Sequence, residues 1–474
     1  MNDERDVALV VDLDGTLVHT DLLIESAFVL VREQPHKLLR MPGWYRHGKA
    51  TLKSEIASRA DLDVEHLPYN HELLDYLGAE KRRGRRIILA TAANQRYAHQ
   101  VAEHLNLFDD VLASDNQINL SGQNKLDAIR ELLGDTPFDY AADHDKDRPI
   151  WAGSRQSVLV SASPGTDRWA SSQTTVGHRI PRQPGGLRTW VKAMRLYQWS
   201  KNILIFVPLL ASHELLDGSK VLAACMAFLA YGALASSVYL LNDLLDLGDD
   251  RRHPNKRRRP FASGTLPVAQ GVLAIPILIL IAVVIALFLP PLFGTVLAIY
   301  YIATLAYSMG LKRLALVDVL TLAGLYTLRL IAGGAATGIP LSFWLLALSM
   351  SLFLSLAMAK RCAELFLMQS GESSAGGRGY ASSDLDALRS LGTAAGYTSV
   401  VILALYINSP DVTRYYSHPN WIWLLCPVVL YWISRIWLVT MRGQMSDDPI
   451  VFAARDNGSR VCMVMGALIM IAAL

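Results

Sequence analysis

The chain is short of cysteine and of net charge. Among its 474 residues are four cysteines, Cys225, Cys362, Cys426 and Cys462. All lie within or beside apolar runs, with no CxxC spacing and no histidine cluster nearby. This excludes a disulfide framework and a zinc site, and leaves them as small buried apolar side chains. Lysine and arginine total 45 against 42 acidic residues, a formal charge of +3. So small a surplus argues against a nucleic-acid partner. Charged residues make up 18% and hydrophobic residues 52%, whereas an average soluble domain is about 25% charged. A collagen-like or disordered chain is excluded, and the figures read as an average over one part in water and one in lipid. The N-terminal stretch Met1-Asn2-Asp3-Glu4-Arg5-Asp6 has no apolar region, so no export signal is expected there.

The length suggests two or three domains. Residues 1–161 read as an α/β domain. Ala8–Asp12 and Arg86–Thr91 are short apolar runs ending in polar residues, which suits parallel strands covered on both faces. Between them a charged stretch, about 20–85, shows helical periodicity over Ile24–Leu39 and Glu72–Lys81 and reads as an inserted helical subdomain. A further strand, Ser157–Ser161, leads into a Ser/Thr/Gly/Pro-rich segment within 162–189 that reads as a linker. From about 190 the solvent changes. A helix needs about 20 mostly apolar residues to cross a bilayer. About nine candidate spans satisfy or approach this: 203–217, 221–245, 269–289, 292–309, 315–336, 343–366, 390–408, 421–440 and 460–474.

Basic residues gather on alternate connections: Arg195 and Lys201; Arg251, Arg252 and Lys256 to Arg259; Lys312 and Arg313; Lys360 and Arg361; Arg442, Arg455 and Arg460. The other connections hold little beyond Lys220 and Arg414. The positive-inside rule therefore places the first group, and the N-terminal domain, in the cytoplasm of a cell whose inner membrane the chain crosses many times.

In the first domain, Asp12-Leu13-Asp14-Gly15-Thr16-Leu17 follows directly on a strand. Two carboxylates two residues apart at a strand end face the crevice where open α/β sheets bind ligands. Cleaving a phosphomonoester needs an attacking oxygen, a proton for the leaving alcohol, a divalent cation and fixed positive charge. Asp12 and Asp14 could supply the first two. Thr91, Lys125 and the pair Asp143 and Asp147 follow in chain order as a phosphoryl-binding hydroxyl, a point charge and magnesium ligands. This set resembles the haloacid dehalogenase superfamily of phosphatases. The resemblance implies a Rossmann-like α/β domain with a helical cap. In it Asp12 would be the nucleophile and Asp14 the general acid/base, Thr91 and Lys125 would hold the phosphoryl group, and Asp12, the Asp14 carbonyl, Asp143 and Asp147 would hold Mg²⁺. Ala142 departs from the pattern, since glycine usually precedes the acidic residue.

In the second part, Asn242, Asp246 and Asp250 recur every fourth residue at the inner end of a span, so a helix sets them on one face. Carboxylates at a membrane border are costly and mark function, and oxygen ligands in a row suit Mg²⁺ on a diphosphate. A dense cluster, Arg251–Pro260, follows. Further polar groups at inner ends are Gln198, Lys201, Asn202, Tyr307, Lys312, Asp318, Lys360, Arg361 and Glu364, with Arg329 either functional or a structural partner of Asp318.

These residues resemble the UbiA-type membrane prenyltransferases, through NDxxDxxxD, and within them the polyprenyl-phosphate phosphoribosyltransferases, through Gln198–Asn202, His253–Pro260, Tyr307–Lys312 and Lys360–Leu365. The resemblance implies an all-α polytopic bundle and phosphoribosyl pyrophosphate as a donor held by Mg²⁺ on Asn242, Asp246 and Asp250. Its phosphates would meet Lys256, Arg257 and Arg259. Lys201 and Lys312 would meet the polyprenyl (decaprenyl) phosphate acceptor, Lys360 and Arg361 either substrate, and Tyr307 is a further substrate-binding candidate. Three readings compete with this one. The bundle could prenylate an aromatic acceptor, or the phosphatase could act on an unrelated substrate or serve only as a docking module.

Overall fold

A computed structural model of the chain describes residues 7–181, 185–369, 379–409, 416–445 and 449–474. Arg414 and Met1–Asp6 lie outside the described residues. The chain divides into two compact units, 1–195 with 239–276, and 196–238 with 277–474. The division falls inside two long helices.

The first unit is built on six parallel strands: β1 (Ala8–Val11), β2 (Ile87–Asn94), β3 (Asp110–Ser114), β4 (Phe138–Ala142), β5 (Gln156–Val160) and β6 (Val176–Ile180). Their order is β3-β2-β1-β4-β5-β6, all neighbours parallel. Strand side chains alternate faces. Leu9, Val11, Ile87, Leu89 and Val158 accordingly join one apolar cluster, while Ala8, Val10, Ile88, Ala90 and Leu159 join the other. Both faces are covered, which is why the strands read as unbroken apolar runs. Helices α1 (Leu22–Glu33), α2 (Met41–Arg46), α3 (Lys49–Ala57), α4 (His71–Arg82), α5 (Gln95–Leu105), α6 (Gln123–Leu133), α7 (Arg148–Gly153) and α8 (Pro164–Gln173) connect the strands. Helix α4 lies within the expected insertion of 20–85 but buries Leu73 and Leu77 against the sheet. The cap proper has its own small core of Leu30, Ile56 and Ala60.

The segment read as a linker is corrected in large part. Ser163 accepts the Thr166 N–H as an N-cap with Pro164 in the first turn of α8, and β6 then pairs with β5. A Ser-Pro helix start was its signal. The sheet ends in two five-residue strands, β3 and β6. Asp110 of β3 pairs with Arg86, and Arg179 of β6 pairs with Asp167. Beyond the sheet the unit holds α9 (Leu187–Ala193), the C-terminal end of α11 (Gly218–Leu245), α12 (Leu247–Arg252) and the start of α13 (Val268–Ala286).

In the second unit, α10 (Val207–Ala211) precedes α11, and α14 (Pro291–Met309), α15 (Val317–Thr337), α16 (Phe343–Gln369), α17 (Leu385–Ile407) and helices Leu425–Met441 and Asn457–Ala473 follow α13. Among the described residues seven helices are long and apolar enough to cross a membrane, and Asn457–Ala473 is shorter. The expected first span, 203–217, is instead a 3-10 segment, Leu196–Phe206, followed by the short α10. Apolarity alone could not tell a crossing helix from this 3-10 stretch, whose Ile205 carbonyl lies against the place where a Cβ on Gly333 would stand. Glycine there lets two backbones touch, and small residues serve the same end between α17 and its neighbours. A Cβ on Gly392 would meet Trp437, and one on Gly396 would meet Ile433 and Ser355. All four cysteines are free thiols, and Cys225 is exposed rather than buried, facing outward from a membrane helix.

Candidate active sites

The chain passes from β1 to β2 and β3 in one direction and returns to β4 on the other side of β1. That reversal leaves a crevice at the carboxyl ends of β1 and β4. Asp12 lies there, its N–H bonded to the Ala141 carbonyl at 2.9 Å. Lys125, near the start of α6 and 2% exposed, donates to Asp12 Oδ1 at 2.8 Å, to Tyr140 Oη at 3.0 Å and to Asp147 Oδ1 at 3.4 Å. Tyr140 in turn donates to Asp147 at 3.0 Å. Thr16 donates to Asp143 at 3.1 Å. Gly15 has φ +77°, and a Cβ there would stand 2.5 Å from Asp143 Oδ2, so glycine provides both the turn and the space. Asp14 points elsewhere and accepts the Leu22 N–H at 3.0 Å, at the head of α1. Thr91 is fully buried and its hydroxyl accepts the Ala93 N–H at 2.9 Å, inside β2 rather than at its end.

Carboxylate oxygens of Asp12, Asp143 and Asp147 lie within 4.8 Å of one another. Burial pushes Asp12 up to about 6, against the pull of Lys125, and pushes Asp143 up to about 7, with Asp12 adding to the rise. Burial also raises Asp14. Three crowded acidic groups with one ammonium form a donor set that a hard divalent cation fits. The Tyr140 hydroxyl was not anticipated, and nothing in the sequence separates it from an ordinary strand tyrosine. From the cap, Lys53 reaches the Ala92 carbonyl at 2.5 Å and Asn119 at 2.6 Å, its ammonium depressed by burial while Asp14 opposes.

The acidic ladder keeps its helical face across a break. Helix α11 ends at Leu245 and α12 starts at Leu247, yet Asp246 N–H bonds the Asn242 carbonyl at 3.0 Å and Asp250 N–H bonds that of Asp246 at 2.8 Å. Asp250 is buried, and its carboxyl is raised by that burial. Arg259, expected to face donor phosphates, sits between two carboxylates, 2.7 Å from Asp250 and 3.2 Å from Asp243. Asp243 was quoted in the motif without a role; it also holds Arg195 at 2.5 Å. Lys256 and Arg257 are exposed. Two carboxylates and one amide would leave a magnesium shell to be completed by diphosphate oxygens, which fits a metal that arrives with its substrate.

In the second unit Asp318, fully buried, is paired with Arg361 at 2.5 Å and accepts from Tyr307 at 2.8 Å. Glu364 holds the other side of Arg361. This corrects the pairing of Asp318 with Arg329. A helix of the length of α15 separates Asp318 from Arg329 by about three turns. Arg329 instead bonds Asn202 at 2.9 Å, the Leu325 carbonyl at 2.6 Å and Tyr300 at 3.1 Å. The rings of Tyr231, Tyr300 and Tyr326 surround its guanidinium. Lys201 lies over Tyr326 at 5.9 Å, and Lys312 is on the 3-10 turn Leu311–Arg313. Lys360 precedes the buried Arg361 on α16.

A carboxylate crevice at the switch point of a parallel sheet, followed in the same chain by an acidic helix and a set of long apolar helices, defines a membrane enzyme with a hydrolase domain and a transferase domain. Residues 203–454 match the UbiA prenyltransferase family, to which the chain belongs, and residues 9–150 match the haloacid dehalogenase-like hydrolases. Family and apolar helices together make it a multi-pass membrane protein. The chain is 36% identical over 98% of its length to uncharacterized protein y4nM of Sinorhizobium fredii, of which 90% is covered. It is 36% identical over 59% of its length to nodulation protein NoeC of Azorhizobium caulinodans, 91% of which is covered. Over 38% of the chain it is 39% identical to decaprenyl-phosphate phosphoribosyltransferase of Mycobacterium tuberculosis, spanning 61% of that protein.

Proposed function

We propose that the chain catalyses two successive reactions at the cytoplasmic face of the inner membrane. The bundle transfers phosphoribosyl from phosphoribosyl pyrophosphate to a polyprenyl phosphate such as decaprenyl phosphate, and the N-terminal domain removes the 5-phosphate to leave polyprenylphosphoryl ribose. This product feeds arabinan-type precursors of the cell envelope. The observation that carries the reading is the crevice of Asp12, Lys125, Asp143 and Asp147 in one polypeptide with a transferase akin to decaprenyl-phosphate phosphoribosyltransferase. The product of such a transferase carries a phosphomonoester, the bond that the crevice is equipped to break.

In the crevice, the Asp12 carboxylate attacks phosphorus and Asp14 gives the leaving alcohol its proton. Asp14 then takes a proton from the water that cleaves the aspartyl-phosphate, releasing phosphate and restoring Asp12, while Lys125 and Thr91 hold the phosphoryl oxygens. Asp12, Asp143, Asp147 and the Asp14 carbonyl would hold Mg²⁺, which when bound neutralises charge on the phosphoryl group. On the ladder, Asn242, Asp246 and Asp250 would hold the second Mg²⁺. Lys256 and Arg257 bind donor phosphates, and Arg259, which pairs with Asp250, would join them where Asp250 serves as a ligand. Lys201, Lys312 and Lys360 meet the lipid phosphate, and Arg361 with Tyr307 holds that region in shape. Purified protein given decaprenyl phosphate, phosphoribosyl pyrophosphate and Mg²⁺ is expected to form the dephosphorylated lipid, and Asp12→Asn to stop at the phosphorylated one. An unchanged product from Asp12→Asn defeats the pairing of the two steps. Transfer from a prenyl diphosphate to an aromatic acceptor in the same assay would establish the rival activity.

A further inference from the structure

Helix α1 touches both acidic centres of the first unit. At its head, the Leu22 N–H bonds Asp14 at 3.0 Å, and Asp21 caps Ile24. In its last turn, Arg32 pairs with Asp249 at 2.5 Å and lies 3.8 Å from Asp246 of the ladder. Leu22 and Arg32 stand roughly ten residues apart, about 15 Å along the axis. Between them Glu25 accepts a bidentate pair of bonds from Arg251, at 2.8 and 2.5 Å. Glu25 is 3% and Arg251 8% exposed, and Arg251 also donates to the Ala262 carbonyl at 3.1 Å. Thr20 holds the same Glu25 carboxylate.

Two more contacts repeat the attachment. Arg252 pairs with Asp63 at 2.6 Å. Gly264, at φ +73°, lies so close to the sheet domain that a Cβ there would meet His19 at 2.5 Å and Pro68 at 3.1 Å. The phosphatase cap and the loop after the ladder are thus one packed body. Neither the hydrolysis nor the transfer uses Glu25 or Arg251. A buried bidentate ion pair is costly to desolvate and hard to justify by stability alone, and fixing one arrangement is its best-attested use.

We propose that α1 is a strut, locked by the Glu25–Arg251 pair, that holds the phosphatase crevice one short helix from the ladder, so that the phosphorylated lipid passes between them without being released. This rests on the two-step reading above. The strut removes the search that a loose tether would leave and raises the effective concentration of product at the crevice. Arg32, whose side chain is about a third exposed (35%), can exchange a carboxylate for the phosphate leaving the ladder.

The test uses the full chain in lipid vesicles with labelled phosphoribosyl pyrophosphate and an excess of unlabelled phosphorylated lipid. In the parent protein the label is expected to reach the dephosphorylated lipid with less than about twofold dilution. In Glu25→Gln and Arg251→Gln the label is expected to be diluted about fivefold or more, while pyrophosphate release and hydrolysis of a soluble aryl phosphate stay within about twofold. The exchanged pair Glu25→Arg with Arg251→Glu is expected to recover undiluted transfer. Full dilution in the parent, or none in either single variant, overturns the strut. If no labelled lipid forms in any variant, the phosphoribosyl reading fails first. The strut is then read from amide exchange over residues 247–264, expected to quicken about tenfold in Glu25→Gln. Unchanged exchange overturns it.

Discussion

Replacing Lys125 by alanine removes the ammonium that the crevice places against Asp12 and Asp147. At 2.8 Å from Asp12, a full pair at an effective dielectric of about 20 is worth roughly 6 kcal/mol before desolvation. Leaving a buried charge without its partner costs about 3–5 kcal/mol net. Part of that cost is avoided by protonation. Asp12 stands at about 6 with Lys125 pulling it down, so without the lysine it rises further and keeps its proton near neutrality. A protonated Asp12 is a poor nucleophile, and the phosphoryl group also loses its fixed charge. Together these predict a fall in phosphate release of at least about 10²–10³. The assay follows both products, with pyrophosphate reporting transfer and the ratio of phosphorylated to dephosphorylated lipid reporting hydrolysis. Pyrophosphate release is expected to stay within about twofold, since Lys125 gives its hydrogen bonds to the crevice residues Asp12, Tyr140 and Asp147, while the phosphorylated lipid accumulates. Phosphate release from Lys125→Ala at more than about a tenth of the parent rate would refute the assignment of that charge to the crevice.

Arg361→Met is expected to strand the fully buried Asp318 and cost about 3–5 kcal/mol, seen as a lower Tm in detergent. Adding Asp318→Asn is expected to return part of that loss, and a single variant as stable as the parent contradicts the pairing. Without metal, Asp12 and Asp143 titrate at about 6 and 7 in the folded chain, against 3.8 for a free side chain. The folded chain therefore holds protons that the unfolded chain has released, and metal-free stability falls as pH rises from about 4 to about 7. Magnesium competes with those protons, so it is expected to raise Tm more at pH 8 than at pH 5. Equal shifts at both values contradict the crevice as its seat.

The apolar runs Leu9 to Val11 and Ile87 to Leu89, each ending in polar residues, are local, and the sheet could be read from them. The same holds for Asp12, because a strand end settles where its carboxylate lies, whereas Asp14 turns instead to the head of α1. What stayed hidden depends on partners far along the chain. Glu25 meets Arg251, and Asp318 meets Arg361, through folding that no spacing encodes. The sequence leaves Arg329 either functional or a structural partner of Asp318, but α15 carries it about three turns away, among Tyr231 and Tyr300 of other helices and Tyr326 of its own. The segment 162–186 looked like a linker because Ser, Pro and Gly open helices as readily as they fill loops, and β6 shows too few apolar residues to announce a strand. The span 203–217 failed for the opposite reason, being apolar enough for lipid but folded as a 3-10 stretch followed by a five-residue helix.

The outermost strands have a consequence for crowding. A protein held to a membrane meets copies of itself in two dimensions, where encounters are frequent and orientations repeat. An open sheet would invite strand-to-strand addition between such neighbours. Here each border is a brief five-residue strand guarded by an Arg–Asp pair, Arg86 with Asp110 at one margin and Arg179 with Asp167 at the other. Charges that must be stripped of water before another chain can dock make poor templates. The enzyme can thus accumulate densely on its bilayer without its water-facing domain seeding β-aggregates.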